Sequence, residues 1–152
     1  MVNHFQRMWR YTDWADGRMI AFFGSAESVP ERCRAFMAHI AAAQQEWLAR
    51  ITQTTPKPEA IWPDWSGERL AAESEAARKN WIAYADSLTL DDLPKPCHYQ
   101  SLAGDPFETP LADIMIHVLN HSTHHRAQIA SAARAADLAP PPTDFIYFAR
   151  EG

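Results

Sequence analysis

At 152 residues the chain is long enough for one domain with its own core, and 47% hydrophobic against 22% charged residues excludes a disordered polymer. A net charge of -5, with no Lys/Arg run longer than two, excludes nucleic acid as the main partner, because phosphate binding needs a concentrated basic face. No apolar stretch nears the ~18 residues that a membrane span needs. The start, Met1 to Arg7, lacks the basic end and apolar run of a secretion signal, so the expectation is a cytoplasmic protein without membrane or nucleic-acid partners. Cys33 and Cys97 are too few for a disulfide framework and are not in a metal-ligand spacing.

The first helix is expected over about 3–23. Met8, Tyr11, Ala15, Met19 and Phe22 recur at spacings of three and four and line one face. Ser28-Val29-Pro30-Glu31 reads as a capping box opening a second helix that runs to about Thr52, with Cys33, Phe36, Ile40, Ala43, Trp47 and Ile51 on its apolar side. Thr55-Pro56-Lys57-Pro58 begins a loop that reaches Trp65. Leu70, Ala77, Trp81, Tyr84 and Leu88 form the apolar face of a third helix.

A long link over 90–109 follows, in which Gly104-Asp105 suits the turn of a small hairpin. Thr109-Pro110 reads as an N-cap with proline at the first helical position, and the fourth helix ends near Ala136 before Pro140-Pro141-Pro142. The tail, Phe145-Ile146-Tyr147-Phe148, is apolar enough to dock. Four helices of about 20 residues without a convincing sheet give an all-α expectation: a four-helix bundle, one domain over 1–152, with a long link between helices 3 and 4.

The chemistry concentrates in the fourth helix. At about 100° per residue, Leu111, Ile114, Val118, His121, His125, Ile129 and Ala132 point within about 40° of one direction. The stripe faces the core, so His121 and His125 take consecutive core positions one turn apart. A lone core histidine is usually just hydrogen-bonded. Two at i and i+4 can both reach one divalent metal ion, which relieves the desolvation of their ring nitrogens. His39, mid-way along the second helix beside Phe36 and Ala43, is the best third ligand. His117 and His124 lie roughly 80–100° off the stripe and read as boundary or solvent residues, with His117 as a partner to a ligand or an alternative ligand. His4 sits near a fraying end and His98 in a loop.

Tyr11, Trp14 and Trp47 are candidates to wall a substrate pocket, plain core packing being the alternative. Glu46, two turns after His39, is the one carboxylate suited to act as a general base. Arg126 points away from His125 and suits a pair with an acid on a neighbouring helix.

The run from His117 to Ile129, with His121, His124, His125 and Arg126, resembles the C-terminal signature of the DinB-like (damage-inducible) superfamily, related to bacterial thiol-S-transferases and the mycothiol-dependent maleylpyruvate isomerase. Tyr11-Thr12-Asp13-Trp14-Ala15-Asp16, and His39-Ile40 ahead of Trp47-Leu48, fit the same pattern. Ala127 departs from it, since glycine commonly follows the arginine.

The resemblance implies an up-down-down-up bundle, a homodimer, and nickel or zinc held by His39, His121 and His125. The histidine nitrogens alone suit zinc, nickel, copper and iron alike. Three ligands leave positions open, the pattern of a catalytic rather than a structural site. An open ion lowers the pKa of bound water towards ~7 or takes a thiol as thiolate. The leading expectation is thus a metal-dependent thiol-S-transferase-type enzyme acting on a small molecule with a low-molecular-weight thiol. A non-catalytic metal-binding stress-response protein and a metal-dependent hydrolase are the alternatives.

Overall fold

A computed structural model describes residues 1–26, 28–54 and 60–151. It is mostly helical. Helices α1 (Val2–Ser25), α2 (Glu31–Thr52), α3 (Gly67–Ser87) and α4 (Leu111–Ala135) are the long ones, and a short α5 (Phe145–Glu151) closes the chain. Between α3 and α4 come a 3₁₀ turn (Leu90–Asp92) and strands β1 (Pro96–Gln100) and β2 (Pro106–Pro110). No helix among the described residues is long and apolar enough to cross a membrane.

The helical expectation holds for most of the chain, and the link between α3 and α4 adds one small two-stranded sheet to it. β1 and β2 pair antiparallel in a register from Pro96↔Pro110 to Gln100↔Pro106. Gly104 sits in the turn at φ +90, which only glycine adopts without strain. Ser101 donates its backbone N–H to Asp105 at 2.8 Å, closing the loop. The hairpin turn expected at Gly104-Asp105 is thus present, while strands of five residues in a Pro-rich link carry too few alternating residues to read as a sheet in the sequence.

Helix starts also differ from expectation. Pro30, not Ser28, is the N-cap residue of α2, and Pro110, not Thr109, that of α4; neither end has a side-chain cap. A capping box forms instead at Thr89 and Asp92, ahead of the 3₁₀ turn. Two hydrogen bonds from Thr89 and one from Lys95 hold the Asp92 carboxyl far below the usual carboxylate range. The segment Thr55-Pro56-Lys57-Pro58 lies outside the described residues.

Two apolar clusters fill the interior. One gathers Met19, Met37, Ile40, Trp65, Ile129 and Ala133. The other gathers Phe5, Trp9, Trp81, Ile114, Met115 and Val118, with Trp9 and Trp81 stacked at 4.2 Å. α2 is buried on every side from Phe36 to Gln44, because α3, α4 and β1 all pack against it. Its alanines at 38 and 41–43 permit that close approach, so one apolar stripe understated its burial.

A polar layer separates the clusters along α1, α2 and α4. Arg126 donates to Asp16 at 2.7 Å, Gln44 donates to Asp16 and Ser122, and Trp81 donates to the Gln44 carbonyl. Arg126 thus finds its acid on α1, as expected. Burial opposes the charge of Arg126 while Asp16 and Tyr11 favour it, and the balance raises its pKa.

The C-terminal tail docks as expected. Tyr11 packs on Phe145 and Phe148 and donates its hydroxyl to Thr143, while Trp14 and Arg18 both bind Glu151.

Candidate metal centre

α2 and α4 lie side by side, which brings His39 against His121 and His125. One ring nitrogen from each of the three lies within 4.8 Å of the others, a group able to hold a metal ion. His39 and His125 are buried, and His121 is half-buried. The i, i+4 spacing does the local work, since it sets the His121 and His125 rings 4.5 Å apart on one helix face.

The outer nitrogens are tied down. His39 Nδ1–H donates to the Ile61 carbonyl at 2.7 Å, and His125 Nδ1–H donates to Gln128 Oε1 at 2.6 Å. Each bond fixes the tautomer that leaves Nε2 with its lone pair facing inward, the usual arrangement around metal-binding histidines. Nε2 of His39 and Nε2 of His121 face each other at 3.0 Å. Two nitrogens bound to one ion at ~2.0–2.1 Å, at angles between square and tetrahedral, stand about 2.9–3.4 Å apart. This donor set therefore fits a divalent ion.

Electrostatics favour the ligand form. Burial, then the imidazoles of His125, His39, His117 and His124, push His121 down to about 4, and burial also lowers His39 and His125. Each shift favours the neutral imidazole, the form that ligates.

Trp62 was missed in the sequence, where it lies in a Pro-rich loop with no periodicity to betray it. Its indole stacks on His39 at 3.7 Å with the planes 3° apart, and its edge meets His125. Gln128 was also missed, although its i+3 spacing from His125 is a legible signal.

A cavity of about 340 Å³ opens against His39 and His121, walled by Trp47, Tyr99, Phe107 and Ile61. Trp47 thus lies where a pocket residue is expected. Tyr11 and Trp14 are not among the lining residues and pack against α5 instead. Glu46 lines the cavity, bound to Arg50 at 2.9 Å. His117 is exposed beside Trp47 and His121, and His124 is exposed beside His125. His98 lies in β1, not in a loop, and pairs with Glu108. Cys33 and Cys97 are both free thiols.

A family match covers the part of the chain that carries this site. A family model described as the DinB superfamily matches residues 33–129, which carry all three histidines. Protein DinB of Bacillus subtilis (strain 168) is 34% identical over 55 residues, 36% of this chain and 32% of the relative. The matched segment thus spans about a third of the length of that curated relative.

Proposed function

The chain belongs to the DinB superfamily, and from that premise we propose that it holds one divalent metal ion, zinc or nickel, through His39, His121 and His125, and works as a metal-dependent enzyme of the thiol-S-transferase type. One observation carries the reading. Three neutral imidazoles converge, two with their Nδ1 atoms anchored, and a cavity runs up to two of them. A bound ion would supply Lewis acidity that lowers the pKa of an incoming thiol.

The chain's own residues do the rest. Ile61 and Gln128 hold the ring orientations, and Trp62 covers one face of His39, keeping water from that side. Trp47 and Tyr99 give a substrate an apolar wall. In the same reading the four long helices form an up-down-down-up four-helix bundle, one domain over 1–152, that acts in the cytoplasm as a homodimer. The open cavity favours an enzyme over a sealed, non-catalytic metal site. The hydrolase reading is weaker, because Glu46, its candidate base, is engaged by Arg50.

The test is elemental mass spectrometry followed by a thiol screen. Near one zinc or nickel per chain, and turnover of electrophiles with glutathione, bacillithiol or mycothiol above a His121→Ala control, is the expected result. Metal without turnover across that panel removes the enzyme. Absence of metal after zinc or nickel loading removes both claims.

A further inference from the structure

Glu46 and Arg50 are not needed to hold an ion, yet they line the cavity beside the histidines and also a second one of about 930 Å³. The two cavities share Glu46, Arg50, Tyr99, Ser101, Leu102 and Phe107, so they form one cleft between α2 and the hairpin. His39 and His121 stand at its inner end, and Gln53, His98 and Glu108 at its outer end. A cleft of this size suits a small organic molecule.

Arg50 is fixed within that cleft. Its side chain is only 13% exposed, its Nε donates to Glu46, and its guanidinium lies 4.7 Å over the Trp47 ring and 5.6 Å from that of Tyr99. Among the described residues this is the one side-chain hydrogen bond that the guanidinium makes. The group has five N–H donors, so the Nη pair remains for a ligand, with the two aromatic rings beside it. Glu46 partly neutralises Arg50, which disfavours a dianion such as phosphate. A planar monoanion matches both the remaining charge and the two-pronged shape.

We propose that this cleft binds a small carboxylate with an apolar or aromatic body. The carboxylate meets the Nη pair of Arg50, the body lies against Tyr99 and Phe107, and the far end reaches the histidines. The inference deepens the metal reading by naming a substrate class, but carboxylate recognition by Arg50 does not itself depend on metal.

The experiment is calorimetric titration of the full chain, metal content recorded, with 4-phenylbutyrate and the uncharged 4-phenylbutan-1-ol. The acid is expected to bind at least about tenfold tighter, the order of one charge-assisted bidentate contact. Glu46→Gln/Arg50→Gln, which leaves no unpaired charge, is expected to bring the two ligands within about twofold to threefold. Phe107→Ala, at a half-exposed position on the hairpin, is expected to weaken both equally and keep the preference. Equal binding of acid and alcohol by the native chain overturns the proposal, as does a preference that survives in the double variant. A preference found in protein that takes up no metal even after zinc or nickel loading upholds the carboxylate site while the metal reading falls. Bound metal without any preference does the reverse.

Discussion

Asp16 and Arg126, 110 residues apart in sequence, form a 2.7 Å ion pair with both side chains almost wholly withdrawn from water. Desolvating two charges costs several kcal/mol each, and the pair offsets this only while both members are present. Their surroundings help, since Gln44 donates to the other Asp16 oxygen and Thr123 accepts from Arg126. Asp16→Ala is expected to destabilise the fold by about 3–5 kcal/mol, because it strands a buried guanidinium. Asp16→Leu/Arg126→Met is expected to be clearly more stable than Asp16→Ala. Urea unfolding followed by circular dichroism checks both, and a loss below about 1 kcal/mol in Asp16→Ala would refute the assignment.

Gln128 accepts from the outer nitrogen of His125 and is not one of the three converging imidazoles. Gln128→Ala is accordingly expected to keep one metal per chain at saturation while lowering affinity about 10–100-fold, the usual effect of losing such a partner. His39→Ala and His125→Ala should abolish binding outright. Competition with a chromophoric chelator measures the difference, and an unchanged affinity in Gln128→Ala would mean that His125 needs no orienting.

The histidine cluster also makes stability depend on pH. His121 titrates near 4 in the folded chain against about 6.5 when unfolded, so between these values the unfolded state binds more protons. Stability therefore rises with pH across that window, is complete above about 6.5, and is lost as pH falls towards 4. After discounting for partial exposure, the His121 contribution is of the order of 1–2 kcal/mol. Thermal melts of metal-free protein should show the drop. A His121→Asn variant should flatten that part of the profile; an identical profile would place the dependence elsewhere.

Trp62, about half-exposed as a residue, stacks on His39. Trp62→Ala is expected to speed release of a bound ion several-fold while the stoichiometry stays at one. Stopped-flow chelation reads the rate, and an unchanged rate would reduce the indole to surface packing.

The histidines were legible because two signals coincided. His121 and His125 fall on the apolar stripe of α4, and His39 falls on the most buried stretch of α2. Helix periodicity reads such positions directly. Trp62, Ile61 and the hairpin residues Tyr99 and Phe107 were not legible, because segments between helices carry no period, and only tertiary packing decides which residues turn inward. Tyr11 and Trp14 illustrate the converse. Aromatic residues on a helix face announce that something covers them, and here the cover is α5, seven residues near the end of the chain.

The three histidines are supplied by α2 and α4, whereas Tyr99, Ser101, Leu102 and Phe107 reach the cleft from a separate hairpin. The hairpin is fastened at its base by Leu111 and Ala112, whose N–H groups bond to Lys95 and Leu93, and at its side by Gln53 on His98. Exchanging residues along the strands would then alter which molecules gain entry without disturbing the imidazoles. The candidate metal centre and the outer wall of its cleft are thus built by separate elements, so a substitution on the hairpin can reshape the cleft while the helices keep the imidazoles in place.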